Sequence, residues 1–378
     1  NQLPISNMNY NPGIKDEFRF IRKHFNPGWS MFYLLHCIFS LKNPIRVFQA
    51  FFKSIRIKRQ PLFSDPLGVF RISEYDGLLL IQKKKPVRVI IPTYNRYDVL
   101  HDVLKELELQ DYSHFSVTVV DQSNPFDESF YGNYKLDINL IRQESPGLWR
   151  ARNRAIQESR EDLIAFLDDD SRLAPNWLRR HLQCLDYFGA EISAGVSIST
   201  HGAKVPENYS FYRLSDQLDT GNTVLRRSVF ETCGMFDEKF EGMRMGDGEF
   251  GLRAHIAGIL SISNPEAIRI HLKLSKGGLR QMGSWDALRP TNIIKPRPIP
   301  SVLYFSRKYF GNQRTVKYLL MNIPFSFTSY SNKGSANYLI ASFILFIIIF
   351  PLVIFTVIWS WKRSSKMLKT GAKIPKFG

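Results

Sequence analysis

The run LIAFLDDDS at 163–171 is a short apolar segment that closes on three acids. Such a run, bounded by polar residues, reads as a buried strand from Leu163 to Asp168. Side chains alternate along a strand, so Asp168 and Asp170 can face one side together at its carboxyl end. Two converging carboxylates repel, and they need either a raised pKa or a counter-cation. Mg²⁺ or Mn²⁺ held by carboxylates together with substrate phosphates answers that need. The alternative is a solvated acidic turn in which Asp170 or Ser171 caps the next helix.

Working outward, Val87 to Pro92 is a β-branched run, and Leu100, Val103, Leu104 and Leu107 then repeat at helical spacing. Val117 to Asp121 and Ile138 to Ile141 read as further strands, and Leu148 to Ser159 as a helix. Strands alternating with helices predict an α/β fold, a mostly parallel sheet with helices on both faces. Ligands bind such sheets at the carboxyl ends of the strands, where Asp121 and Asp168 stand.

The chain has 378 residues, enough for a sizeable core, and a formal net charge of +17 that draws it to anionic partners. Its three cysteines, Cys37, Cys184 and Cys233, form no CxxC pair, which argues against a disulfide framework or a zinc site and fits a reducing compartment. No signal-peptide pattern opens the sequence. From Tyr338 to Trp361 no residue is charged, long enough for a transmembrane helix. Pro351 leaves a kinked span and a re-entrant hairpin both open. Pro44 to Arg59 sets Ile45, Phe48, Phe51, Phe52 and Ile55 among basic residues; it reads equally as an interfacial helix or as one packed on the protein. Boundaries are expected at 1–85 (N-terminal region with the amphipathic helix), 86–290 (catalytic domain), 291–336 (membrane-proximal) and 337–378 (transmembrane or re-entrant segment and basic tail).

Six blocks in order carry a resemblance to a known family: VRVIIPTYNR at 87–96, VTVVDQS at 117–123, GLWRARNRAI at 147–156, AFLDDDSRLAPNWL at 165–178, TGNTVLRRSVFETCGMFDEKF at 220–240 and GDGEFGLRAHIAG at 246–258. Together they resemble the inverting, nucleotide-sugar-dependent glycosyltransferases of family 2, whose fold is the Rossmann-like GT-A type. The resemblance implies that Pro92, Thr93 and Tyr94 line the nucleotide pocket, that Asp121 meets the base, and that Arg152 and Asn153 lie near the diphosphate. A helix start beside arginines is also a fair anion site on physical grounds. Asp168 and Asp170 match the family's DxD element, with Asp169 beside the donor, Asp170 the direct metal ligand and His271 a further one. Asp247 matches the general base, and Glu249 is expected at the acceptor. Relatives usually have Glu-Asp where this chain has Gly246-Asp247, and its second block reads Asp121-Gln122-Ser123.

The resemblance implies transfer of a sugar from a nucleotide-linked donor, expected to be UDP- or GDP-linked. The membrane-type segments favour a glycan or lipid-linked acceptor at a membrane, with the catalytic domain expected to face the cytoplasm. A catalytically impaired scaffold of the same fold and a nucleotidyltransferase are the competing readings, but PTYNRYDV offers the latter no Gly-rich phosphate loop. No nucleic-acid-binding motif accompanies the basic charge, so nucleic acid is not an expected partner.

Overall fold

The computed structural model describes residues 12–25, 27–60, 72, 79–200, 209–274, 277–279, 288, 292–328, 332 and 335–377. The chain forms two compact units, 1–70 and 71–378. The first is a helical cluster of α1 (Ile14–His24), α2 (Pro27–Phe39) and α3 (Pro44–Ile55). Asn43 caps α3 by accepting from Arg46 N at 3.2 Å, with Pro44 opening the helix. Phe18, Leu34, Cys37, Val47 and Ala50 form the unit's core, while Phe39, Leu41, Ile45 and Phe52 remain exposed.

The second unit begins with α4 (Leu79–Gln82), β1 (Val87–Thr93), α5 (Tyr97–Glu108), β2 (Phe115–Asp121), β3 (Ile138–Arg142), α6 (Leu148–Glu158) and β4 (Leu163–Leu167). It continues with β5 (Ser171–Leu173), α7 (Trp177–Phe188), β6 (Ile192–Ser199), β7 (Arg213–Leu214), β8 (Asn222–Arg226), α8 (Ser228–Cys233), α9 (Gly246–Ile256) and β9 (Ser261–His271). Three helices close it: α10 (Pro300–Asn322), α11 (Ala336–Ile348) and α12 (Phe350–Lys369).

The strands alternate their side chains between two cores. Val87, Val89 and Ile91 of β1 and Leu163, Ala165 and Leu167 of β4 pack with α5 and α7. Ile90, Ile164 and Phe166 face the opposite layer with α6, α8 and α9. Helices therefore cover both faces, as the alternating pattern predicts. The sheet order is β3-β2-β1-β4-β8-β6-β9-β5, with β7 pairing β9.

Two expectations need correcting. The sheet is mixed, not mostly parallel: β4–β8, β6–β8, β5–β9 and β7–β9 pair antiparallel, whereas β1–β2, β1–β4, β2–β3 and β6–β9 are parallel. β8 runs against both β4 and β6, a direction that no local pattern encodes. The transmembrane segment also fails as one helix. No single helix among the described residues is long and apolar enough to cross a membrane. The apolar run breaks at Ile349, where Pro351 lies in the first turn of α12, and the two pieces are bent by 87°. Proline lacks the N–H that would continue the ladder, which accounts for the break.

A buried polar knot fixes the central strands. Asn222 Oδ1 accepts from Trp177 Nε1 at 2.7 Å and lies 3.1 Å from His181 Nε2, so that nitrogen carries the proton. His181 Nδ1 then faces Ser193 Oγ at 2.9 Å. Burial holds the His181 pKa down to about 4, against an ordinary 6.5. The unfolded state therefore takes up the proton first as pH falls, and stability present above pH 6.5 is lost toward pH 4. For a group this buried the loss is on the order of 3 kcal/mol. His181→Gln is expected to remove that part of the acid sensitivity. Urea midpoints of both proteins between pH 7 and 4 measure it, and parallel pH profiles would contradict the assignment.

Candidate active site

The acids gather where β1 and β4 end. The chain leaves β4 at Leu167, presents Asp168, Asp169 and Asp170, and enters β5, which pairs antiparallel with β9 so that Ser171 lies opposite His271. The next helix starts only at Trp177, so the acids do not form a helix cap. Asp168 Oδ1 accepts from Arg152 Nη2 at 2.7 Å and its Oδ2 from Arg269 Nη1 at 3.0 Å. Asp169 Oδ1 accepts from Arg96 Nη1 at 3.0 Å and its Oδ2 from Thr93 Oγ1 at 2.9 Å. Asp170 Oδ2 takes the same Arg96 nitrogen at 3.1 Å, and its Oδ1 lies 3.3 Å from His271 Nε2.

These partners set the electrostatics. Burial pushes the Asp169 carboxyl up to about 7, with Arg96 opposing the rise. Burial also disfavours the Asp170 charge, but the contacts with His271 and Arg96 outweigh it and hold that carboxyl below its ordinary value. Lys273, just past β9, is brought down to about 8 by burial and by the charge of Arg244. One ligand atom each from Asp168, Asp170 and His271 lies within 4.8 Å of the others. Two carboxylates and an imidazole are a donor set that suits Mn²⁺ or Mg²⁺.

Other expected residues take varied places. Pro92 is buried in β1, and half-buried Tyr94 accepts from Gly278 N at 2.9 Å through its carbonyl. Asp121, at the end of β2, is fully buried: Tyr97 and Tyr131 hydroxyls donate to Oδ2 at 2.7 and 2.8 Å, and Ser123 N to Oδ1 at 2.8 Å. Asn153 pairs with both backbone groups of Phe236, at 2.9 and 3.0 Å, and so works as a brace. Glu249 has no exposed surface and is held by Arg253, Lys308 and Tyr309, which ties α10 to α9. Its carboxylate therefore lies inside the protein. Asp247 is half-buried in the first turn of α9, where its Oδ1 accepts from Gly248 N at 2.9 Å. Met245 before it has φ 78°, a left-handed conformation that a non-glycine residue adopts at a cost.

The start of α6 is not an open anion site. Glu241 fills it, accepting from the backbone N–H groups of Leu148, Trp149 and Arg150. The unusual Gly246 also finds its reason. A Cβ there would lie 2.3 Å from Cζ2 of Trp149, whose indole donates to Phe240 O at 3.0 Å. Trp149 leaves no room for a side chain at position 246. Gly246→Ala is expected to cost about 1–3 kcal/mol, and truncating Trp149 to Leu in the same chain to recover part of it. A double-mutant cycle on urea midpoints checks this, and additive losses would contradict it.

Arg96, Arg269 and Asp219 escaped the sequence reading. Arg269 is fully buried and binds Asp168, Asp219 and Ser171. Strand alternation could have found it, since Arg269 and His271 stand two apart in β9. Gly221 leaves space for this contact: a Cβ there would lie 2.1 Å from Arg269 Nη1 and 2.2 Å from Asp168 Oδ2.

A mixed sheet with helices on both faces and an acidic cluster at the strand ends defines an α/β fold of the GT-A kind. Residues 88–245 match the model of glycosyl transferase family 2. It is 29% identical over 160 residues to the glycosyltransferase AglE of Haloferax volcanii, covering 40% of this chain and 51% of that protein. It is 24% identical over 127 residues to the poly(ribitol-phosphate) beta-N-acetylglucosaminyltransferase TarS of Staphylococcus aureus, covering 32% and 22%. The chain thus spans about half or less of the length of these relatives. Residues 1–349 of TarS, solved with UDP-GlcNAc, superpose with a TM-score of 0.44 at 17% identity, covering 74% of this chain and 81% of that one.

Proposed function

We propose that this protein transfers a sugar from a UDP- or GDP-linked donor to a glycan or lipid-linked acceptor at a membrane, with inversion at the anomeric carbon. The observation that carries the reading is the convergence of Asp168, Asp170 and His271 at the carboxyl ends of the strands, the two acids lying within the segment 88–245 that matches family 2. These three residues would hold a divalent ion, which when bound would supply charge neutralisation for a departing diphosphate.

The chain's own residues divide the remaining tasks. Arg152 and Arg269 fix the Asp168 carboxylate from both sides, and Arg96 spans Asp169 and Asp170, so the acids are preorganised. Pro92, Thr93 and Tyr94 close β1 at the donor side, and Asp121 closes β2 beside them. Asp247 takes the proton of the attacking acceptor hydroxyl as the new bond forms. The catalytic domain is assigned to the cytoplasmic side, consistent with the free cysteines Cys184 and Cys233 within it.

The test is turnover. The full chain, with Mn²⁺ and membrane lipid extract as acceptor source, should release nucleoside diphosphate from one member of a UDP- and GDP-sugar panel. Release of pyrophosphate from nucleotide triphosphate and sugar phosphate would instead indicate a nucleotidyltransferase. No release from any donor, with donor binding intact, would favour the impaired scaffold.

A further inference from the structure

The apolar pair α11–α12 leaves and rejoins the catalytic unit at one carboxylate. On the outgoing limb, Tyr304 of α10 donates to Asp237 Oδ2 at 3.1 Å and packs its ring on Phe240. On the returning limb, Lys373 N donates to Asp237 Oδ1 at 2.8 Å, and Glu238 N donates to Lys373 O at 2.9 Å. Phe377 then packs against Phe230. Asp237 is only 1% exposed, so both limbs are fixed to the same interior point.

Between the limbs the surface is that of a group immersed in lipid. Hydroxyls turn inward: Ser342 donates to Pro324 O at 3.1 Å and Thr356 to Val353 O at 2.8 Å. Ile344, Ile347, Ile348, Ile354, Phe355 and Ile358 are exposed. Trp359 follows with Arg363 over its ring at 4.8 Å, and Arg307 stacks on Trp361 at 4.0 Å, an aromatic and basic rim of the interfacial type. No Asp or Glu occurs after Asp286, whereas Lys362, Arg363, Lys366 and Lys369 adjoin the apolar run. This charge pattern suits an anionic lipid surface.

Length and direction decide the topology. The 13 residues of α11 rise about 20 Å, short of the ~30 Å hydrocarbon core, and α12 turns away by 87°. We propose that α11 and the first half of α12 form a re-entrant wedge sunk into one leaflet of an anionic bilayer, with both ends on the side of the catalytic domain. This rests on the membrane-acceptor reading above and deepens it. The wedge fixes the site to one membrane face, so donor and acceptor hydroxyl must meet on that face.

The full chain in sealed vesicles of phosphatidylcholine and phosphatidylglycerol tests the topology. In a Cys233→Ser background, single cysteines enter as Asn337→Cys before the wedge, Ala372→Cys after it and Glu128→Cys on the catalytic domain. A membrane-impermeant maleimide should label all three to the same fraction, and only vesicle opening should raise them, together. Labelling of 337 and 372 from opposite sides would establish a span and overturn the wedge. Release of the protein by high salt or alkaline carbonate would also overturn it, by showing that the apolar face is covered by protein or another copy. Nucleotide-sugar binding in the same vesicles separates the two readings: binding without insertion removes the wedge alone, and insertion without binding removes the transferase reading alone.

Discussion

Asp170→Asn is expected to lower kcat by about 10³-fold and to abolish the dependence of donor binding on divalent metal. Asparagine keeps the size of the side chain and one acceptor oxygen, so Arg96 retains Asp169 at 3.0 Å and still meets an acceptor at position 170, where it now lies 3.1 Å from Oδ2. The fold should therefore survive. What disappears is the negative charge opposite His271, 3.3 Å away, and with it one of the three ligands that come together at this point. Titration with Mn²⁺, followed by donor affinity, reads the loss directly. Unchanged turnover, or donor affinity still enhanced by Mn²⁺ to the wild-type extent, would reduce the acidic run to a set of structural ion pairs with Arg96, Arg152 and Arg269.

Asp247→Asn is expected to lower kcat by about 10²-fold or more while leaving donor affinity within a few-fold of wild type. The substitution separates chemistry from structure. Asn retains the oxygen that accepts from Gly248 N at 2.9 Å, so the first turn of α9 keeps its local contact. It cannot accept a proton at neutral pH. A base lost this way appears in kcat, whereas a damaged helix start would also lower thermal stability and donor binding. The residual product should have inverted anomeric configuration. A variant with near-normal kcat would assign the proton to another group, and retained configuration in the wild-type product would exclude a single displacement.

The left half of the sheet was legible because its strands are rich in apolar and β-branched residues. Val87–Thr93, Phe115–Asp121 and Leu163–Leu167 are buried along almost their whole length and alternate between two cores. The right half was not. β9 carries Pro265 and a register shift opposite Gly195 and Val196, and β6 mixes Ser and Gly with apolar residues, so neither shows a clean period. The acids were legible as acids, but their partners were not. Arg96 reaches Asp169 across 73 positions and Arg269 reaches Asp168 across 101. Glu241 fills the start of α6 from 93 positions away, which no local pattern announces. The departure at Gly246 was visible in the sequence, yet its cause, the Trp149 ring, is a packing fact.

Thermal stabilisation of the full chain by nucleotide sugars is the most direct measurement of the central claim that the acidic cluster holds a metal-bound donor. With Mn²⁺ present, one member of a UDP- and GDP-sugar panel at ~100 times its dissociation constant should add about 2.7 kcal/mol of stability, and chelation should erase the gain. Asp170→Asn should show no such gain. Absence of stabilisation by every donor in Mn²⁺, or equal stabilisation in excess chelator, would contradict the account.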